Sequence, residues 1–243
     1  MQLEEGAIPI SAQFETILES GKKPEIKAFL DDQNISDVVE LVYEFPDHEA
    51  LIIANMSVHR AVNVFKLLEV SEQNNIIQEL PPSYTAALLN ELPADDRTDF
   101  LEELPANVVR ELIKLLDPEE RRVTLSLLGY PENSIGRLMN PDYVYVYSHN
   151  TVAEVFGVIR KYGKNSEAIN VIYVINKAGE LLDDIRIGEF ILSDPETTVS
   201  QLMDERVISL KAYDDQETAA EIFKMNNRVA LPVDSVSSKM LGI

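Results

Sequence analysis

The chain has 243 residues, 45% of them hydrophobic, so it is long enough for two or three packed domains and apolar enough to give them cores. Its 42 acidic side chains against 21 basic ones give a formal charge of −21, which repels nucleic-acid phosphates and anionic lipid and makes cations the natural partners. The absence of cysteine excludes disulfides, thiolate zinc sites and iron–sulfur clusters.

At the N-terminus, MQLEEGAIPI lacks the basic stretch and apolar core of a signal peptide. The longest apolar runs, such as VIYVI at 171–175, are far short of the ~18–20 residues a membrane-spanning helix needs, so no transmembrane segment is expected. FETILESGKKPEIKAFL and NISDVVELVYEF have helical spacing and are expected to cap a helical array downstream. Leucine-proline pairs then recur every twelve residues, at Leu80-Pro81, Leu92-Pro93 and Leu104-Pro105, followed by Leu116 with its proline displaced to Pro118. Leu68 and Met56 continue the register backwards, and eight or nine residues after the anchors comes an apolar pair almost every time: Val64/Phe65, Ile76/Ile77, Leu88/Leu89, Phe100/Leu101 and Leu112/Ile113.

Proline presets the backbone near a helix start and gives up an amide proton that would lack a partner there, so each proline begins a helix and the next one ends it. Helices this short are marginal alone, and neighbouring units must stack to share a core. Residues from about 40 to 128 therefore predict an array of short helices, with the first domain ending near Gly129.

After YPENSIGRLMNP the texture changes. YVYVY (143–147) predicts a strand, TVAEVFGVIRKYG a helix, NVIYVIN a strand, KAGE a turn, and IRIGEFIL a strand running into a helix. A second copy begins at TTVSQLM, with VISLKA a strand, DDQETAAEIFKMN a helix and VALPV a strand before the sequence reaches KMLGI, so the second unit is incomplete.

Enzyme signatures are missing. His48-Glu49 opens a zinc-protease-like pair, but position 52 is isoleucine, and no GxGxxG, GxxxxGK[ST] or GxSxG occurs. His59 and His149 are read as ordinary structural residues. Asp183-Asp184 are adjacent carboxylates that a strand would point to opposite faces, and a solvated turn is the expectation for them.

The segment LPADDRTDF (92–100) concentrates three aspartates. Asp95 and Asp96 fit the first turn of a helix, where carboxylates complement the dipole. Asp99 lies beyond that turn and forms an i, i+4 pair with Asp95. At a separation of about 5.5 Å their repulsion is roughly 0.75 kcal/mol in bulk water and roughly 3 kcal/mol at the effective dielectric of a crowded interface. A hard divalent cation such as Mg²⁺ or Ca²⁺ relieves it, so the pair can act as a metal-controlled latch.

LPADDRTDFLEELP, LLGYPENSIGRLMNPDYV, and DDQETAAEIF with ALPV together resemble the cytosolic region of the MgtE-type magnesium transporter and channel family, over essentially the whole chain. That resemblance implies a multi-domain α and α/β fold. A right-handed superhelix of short α-helices would occupy 1–130, and tandem CBS (β-α-β-β-α) units 131–200 and 201–243, the second partial. It also implies a non-enzymatic, Mg²⁺-sensing region at the cytoplasmic face of the cell membrane. Such a region closes a pore when intracellular Mg²⁺ is high, by ions that bridge the N domain to the CBS units. The implied partners are a second copy, paired through the CBS units, and the transmembrane pore domain of the same polypeptide; nucleic acid is not among them. By motif match Asp95 and Asp99 are the N-domain Mg²⁺ ligands and Asp215 and Glu217 those of the CBS part, with capping of the helix near Gln216 as the competing role for the latter two.

Two departures stand out. Family members commonly read KYDLxALPV where this chain has MNNRVALPV, placing Asn227 at an acidic position, and V[ST]LRDL appears as IRIGEF. Arg186 and Glu189 thus replace the hydroxyl and aspartate that many CBS units use to hold an adenosine ribose, which counts against nucleotide (ATP or AMP) binding. The rival functions are an adenine-nucleotide-sensing CBS module and a helical scaffold for a protein partner.

Overall fold

A computed structural model describes residues 8–163, 166, 168–226 and 228–243. Its contacts divide into two compact units that part between Arg121 and Arg122.

The first unit is helical. It comprises α1 (Ile10–Ser20), α2 (Lys23–Asp32), α3 (Ile35–Glu44), α4 (Glu49–Ala54), α5 (Val58–Phe65), α6 (Val70–Glu79), α7 (Pro82–Glu91), α8 (Ala94–Glu102), α9 (Ala106–Leu115) and the start of α10 (Pro118–Leu128). Pro81, Pro93 and Pro105 sit at the N-caps of α7, α8 and α9, and their carbonyls accept from Thr85 N, Arg97 N and Val109 N. A residue without an N–H costs nothing at that position. The register anchors Met56, Leu68, Leu80, Leu92, Leu104 and Leu116 are all buried, as are Ile52, Ile53, Val64, Phe65, Ile76, Ile77, Leu88, Leu89, Phe100 and Leu101. They form one continuous core that begins at Phe14 and Leu30.

Helices pack on alternate neighbours: α1 on α3, α3 on α5, α5 on α7, α7 on α9, and α4 on α6. The packing repeat is therefore two sequence units, or twenty-four residues, a doubling that the leucine-proline spacing conceals.

The second unit holds α11 (Ile135–Leu138) and two related β/α halves. The first half runs β1 (Tyr145–Val146), α12 (Val152–Tyr162), β2 (Val171–Ile175), β3 (Leu181–Arg186) and α13 (Ile187–Leu192). The other runs β4 (Leu210–Lys211), α14 (Gln216–Asn226), β5 (Val233–Asp234) and β6 (Met240–Gly242). Each sheet pairs its first two strands in parallel and its last two antiparallel. All five residues of β2 are buried. Ile172 and Val174 enter a core with Val146, Val155, Ile185 and Phe190, while Val171, Tyr173 and Ile175 pack on the other face with Met240. The run reads as continuously apolar because both faces are covered.

The expected turn at KAGE is present, with Asn176 Oδ1 accepting from Ala178 N and Glu180 N and Gly179 at φ +82°, a conformation glycine adopts without a Cβ penalty. The solvated turn expected at Asp183-Asp184 is corrected: both residues lie inside β3, which begins at Leu181, earlier than IRIGEF suggested. Their carboxylates are buried because each has a distant partner.

Candidate functional site

Three aspartates reach the surface of the first unit through α8. Asp95 and Asp96 stand in its first turn and Asp99 one turn later, with Asp95 and Asp96 half-buried and Asp99 exposed. Arg97 lies among them in sequence yet is 0% exposed. Its Nη1 donates to Leu89 O and Leu92 O, each at 3.0 Å, and its Nη2 to Glu120 Oε2 at 2.6 Å. A buried guanidinium is tolerable only when paired in this way. Beside α8 lies a cleft of about 350 Å³ whose walls include Lys66, Glu69, Asp96, Asp99, Glu102 and Glu103. Lys66 Nζ is 3.7 Å from Asp96 Oδ2. Asp99 is thus brought together with Asp96, its i−3 neighbour, on that wall.

In the second unit Asp215 and Glu217 are exposed at the start of α14. Asp215 Oδ1 accepts from Glu217 N at 2.9 Å, so the carboxylate caps the helix. Asn227 lies outside the described residues. Among the described residues no three His, Asp or Glu side chains converge as a metal-holding group, so the carboxylates here are hard oxygen donors without a closed cage.

Arg186 and Glu189, at the β3–α13 junction, are both exposed. Behind them, sequence reasoning missed a buried clasp. Asp183, 1% exposed, accepts from Asp204 N at 2.8 Å and Glu205 N at 3.0 Å through Oδ2. Asp184 points the other way and pairs with Arg228 Nη1 at 2.5 Å, the two side chains being 4% and 19% exposed. Burial pushes the Asp184 carboxyl up, and Arg228 pulls it back without reversing the shift. Tyr173, on the neighbouring strand, is fully buried, and its hydroxyl has no hydrogen-bond partner among the described residues.

A cleft of about 520 Å³ opens along β1, walled by Tyr143, Tyr145, Tyr147 and Tyr162 together with Asp142 and Ser166. The Ser166 hydroxyl is buried without a hydrogen-bond partner among the described residues.

Residues 14–133 match the family described as the MgtE intracellular N domain, and residues 135–191 match the CBS domain. The chain belongs to the MgtE family. Magnesium transporter MgtE of Bacillus subtilis is 27% identical over 93% of this chain, and that of Enterococcus faecalis 34% identical over 77%. The chain spans 51% and 42% of the lengths of those two relatives. Among solved structures, the cytosolic domain of the Mg²⁺ channel MgtE in complex with ATP superposes with a TM-score of 0.90 at 29% identity, covering 96% of this chain and 95% of that one. The soluble part of a magnesium transporter gives 0.88 at 24% identity and shows the same fold.

MgtE relatives are transporters rather than enzymes, in keeping with the absence of catalytic signatures from this sequence. No helix among the described residues is long and apolar enough to cross a membrane. Sequence reasoning singles out neither Arg97 nor Arg228 and reads Asp183-Asp184 as a solvated turn, because Arg97 meets Glu120 across 23 residues, Asp183 the amides of Asp204 and Glu205 across 21 and 22, and Asp184 meets Arg228 across 44. One signal for Arg97 was available: it shares its phase in the twelve-residue register with Gln73 and Arg121.

Proposed function

We propose that this chain is the Mg²⁺-sensing regulatory region of a magnesium transporter, positioned at the cytoplasmic face of the membrane and acting on a pore domain of the same polypeptide. High Mg²⁺ bridges the N domain, extending to about residue 130, to the CBS units at 131–200 and 201–243, and so closes the pore. The observation that carries this reading is the α8 surface, where Asp95 and Asp99 are displayed around a buried arginine, in a chain of net charge −21. Asp95 and Asp99 would hold Mg²⁺ on one side and Asp215 and Glu217 on the other, with carboxylate oxygens matched to a hard cation. The ion supplies charge neutralisation; the chain's own residues orient the carboxylates and keep the two acidic faces apart without it. A CBS-mediated homodimer completes the arrangement.

One site at ten times its dissociation constant contributes only about 1.4 kcal/mol, whereas moving an equilibrium from 1:99 to 99:1 takes about 5.5 kcal/mol, so several coupled ions are required. Small-angle scattering and limited proteolysis across a Mg²⁺ titration test the reading. Compaction with a steep midpoint is expected, and Asp95→Asn with Asp99→Asn moves that midpoint to higher Mg²⁺. An unchanged radius and cleavage pattern up to tens of millimolar rejects it.

A second reading, adenine-nucleotide sensing, is favoured by the tyrosine-walled cleft and by the relative solved with ATP. Calorimetry with ATP and AMP separates the two: strong nucleotide binding without Mg²⁺-driven compaction would favour the nucleotide sensor.

A further inference from the structure

Positions 73, 97 and 121 lie twenty-four residues apart, and each donates from its side chain to the carbonyl eight residues earlier. Gln73 Nε2 reaches Phe65 O at 2.9 Å, Arg97 Nη1 reaches Leu89 O at 3.0 Å and Arg121 Nε reaches Ile113 O at 3.0 Å. The two arginines also reach the carbonyl five residues back, Leu92 O and Leu116 O. The last carbonyls of a helix lack intrahelical donors, so each of these side chains ties its own helix to the end of the one before. Arg97 adds a further arm, the 2.6 Å pair with Glu120 of α10.

Helix geometry turns that anchor into a display device. At about 100° per residue, Asp95 and Asp99, each two residues from Arg97, leave the helix about 160° away from it and within about 40° of each other. The exposures agree, Arg97 being fully buried, Asp95 half-buried and Asp99 exposed. Fixing the arginine inward fixes both aspartates outward on one face.

We propose that Arg97 is the positioning residue of the acidic face: by anchoring α8 to the end of α7 and to Glu120, it sets the rotation at which Asp95 and Asp99 meet a divalent cation. This rests on the Mg²⁺ reading above. Arg97 touches no ion itself. It lowers the ordering cost of binding, because the carboxylates of an anchored helix are already held side by side.

The test uses the full chain with Arg97→Met and Glu120→Gln together, which removes one positive and one negative charge, so the net field is preserved while the anchor is lost. Leu30→Ala, a remote truncation in the same core, controls for general destabilisation. In Mg²⁺-free buffer the double variant is expected to lose about tenfold or more of the hydrogen-exchange protection of amides 94–101 relative to α5. In the titration its compaction midpoint should rise about threefold or more, while Leu30→Ala leaves the midpoint in place. Should the double variant fail to fold, Arg97→Lys keeps the charge without the planar fork and should show both effects in reduced form. Unaltered protection of 94–101, or a midpoint that Leu30→Ala shifts as much as the anchor variant does, overturns the proposal. A wild-type chain that never compacts sinks the Mg²⁺ reading instead, and the exchange contrast then decides alone whether Arg97 anchors this face.

Discussion

Glu49 occupies the phase that precedes Gln73, Arg97 and Arg121 by the same twenty-four-residue step, and it is 6% exposed. A carboxylate can accept but not donate, so it cannot serve a helix-end carbonyl as the other three do. Burial pushes its pKa up, Glu72 and Glu79 push it further, and a hydrogen bond with Asn75 partly offsets them. The folded-state pKa therefore lies above the unfolded one. Its contribution to stability is complete below the ordinary glutamate pKa and is lost as pH rises through the raised value. Glu49→Gln, which installs the residue found at position 73, should remove that pH dependence and raise the melting temperature at neutral pH by a few degrees. Thermal unfolding of both chains across the acidic to neutral range checks it; equal pH slopes would contradict it.

At the scale of elements, the helical array was legible because its signals are local: proline at each start, leucine at each boundary, an apolar pair near each end. The clasp on β3 was not. Asp184 finds Arg228 across 44 residues, and Asp183 finds the amides of Asp204 and Glu205 across 21 and 22, so nothing beside DD in sequence announces that both carboxylates are buried. Arg186 and Glu189 were placed at the right junction, but the arginine that pairs with Asp184, two residues before Arg186, comes from the other β/α half. Since a buried ion loses its solvation whether or not its partner remains, Arg228→Met should cost about 3–5 kcal/mol by stranding Asp184. Adding Asp184→Leu should restore most of that loss, because two apolar side chains replace the pair without a stranded charge. Urea unfolding of the two variants checks this, and a double variant as weak as the single one would show that the pair has no special role.

For the whole molecule, the net charge of −21 predicts that added salt alone relieves long-range repulsion, so screening must be separated from ion bridging. At matched ionic strength Mg²⁺ should protect the chain from protease where Na⁺ does not, and the Asp95→Asn, Asp99→Asn variant should make the two salts equivalent. Family and fold could be read from sequence because motifs in both units agree. The surroundings of the acidic residues were less legible: Asp215 is engaged as a cap, and Asp99 shares its cleft wall with Asp96.

Alternate-neighbour packing restricts how such a protein can change its length. Losing a single twelve-residue stretch would move every later helix one place along that pattern and bring Thr85 or Val109 to where Gln73 or Arg97 now donates to a helix-end carbonyl. Natural insertions and deletions in this array should accordingly come as helix pairs, and duplication of one odd helix should be the rearrangement that inheritance discards.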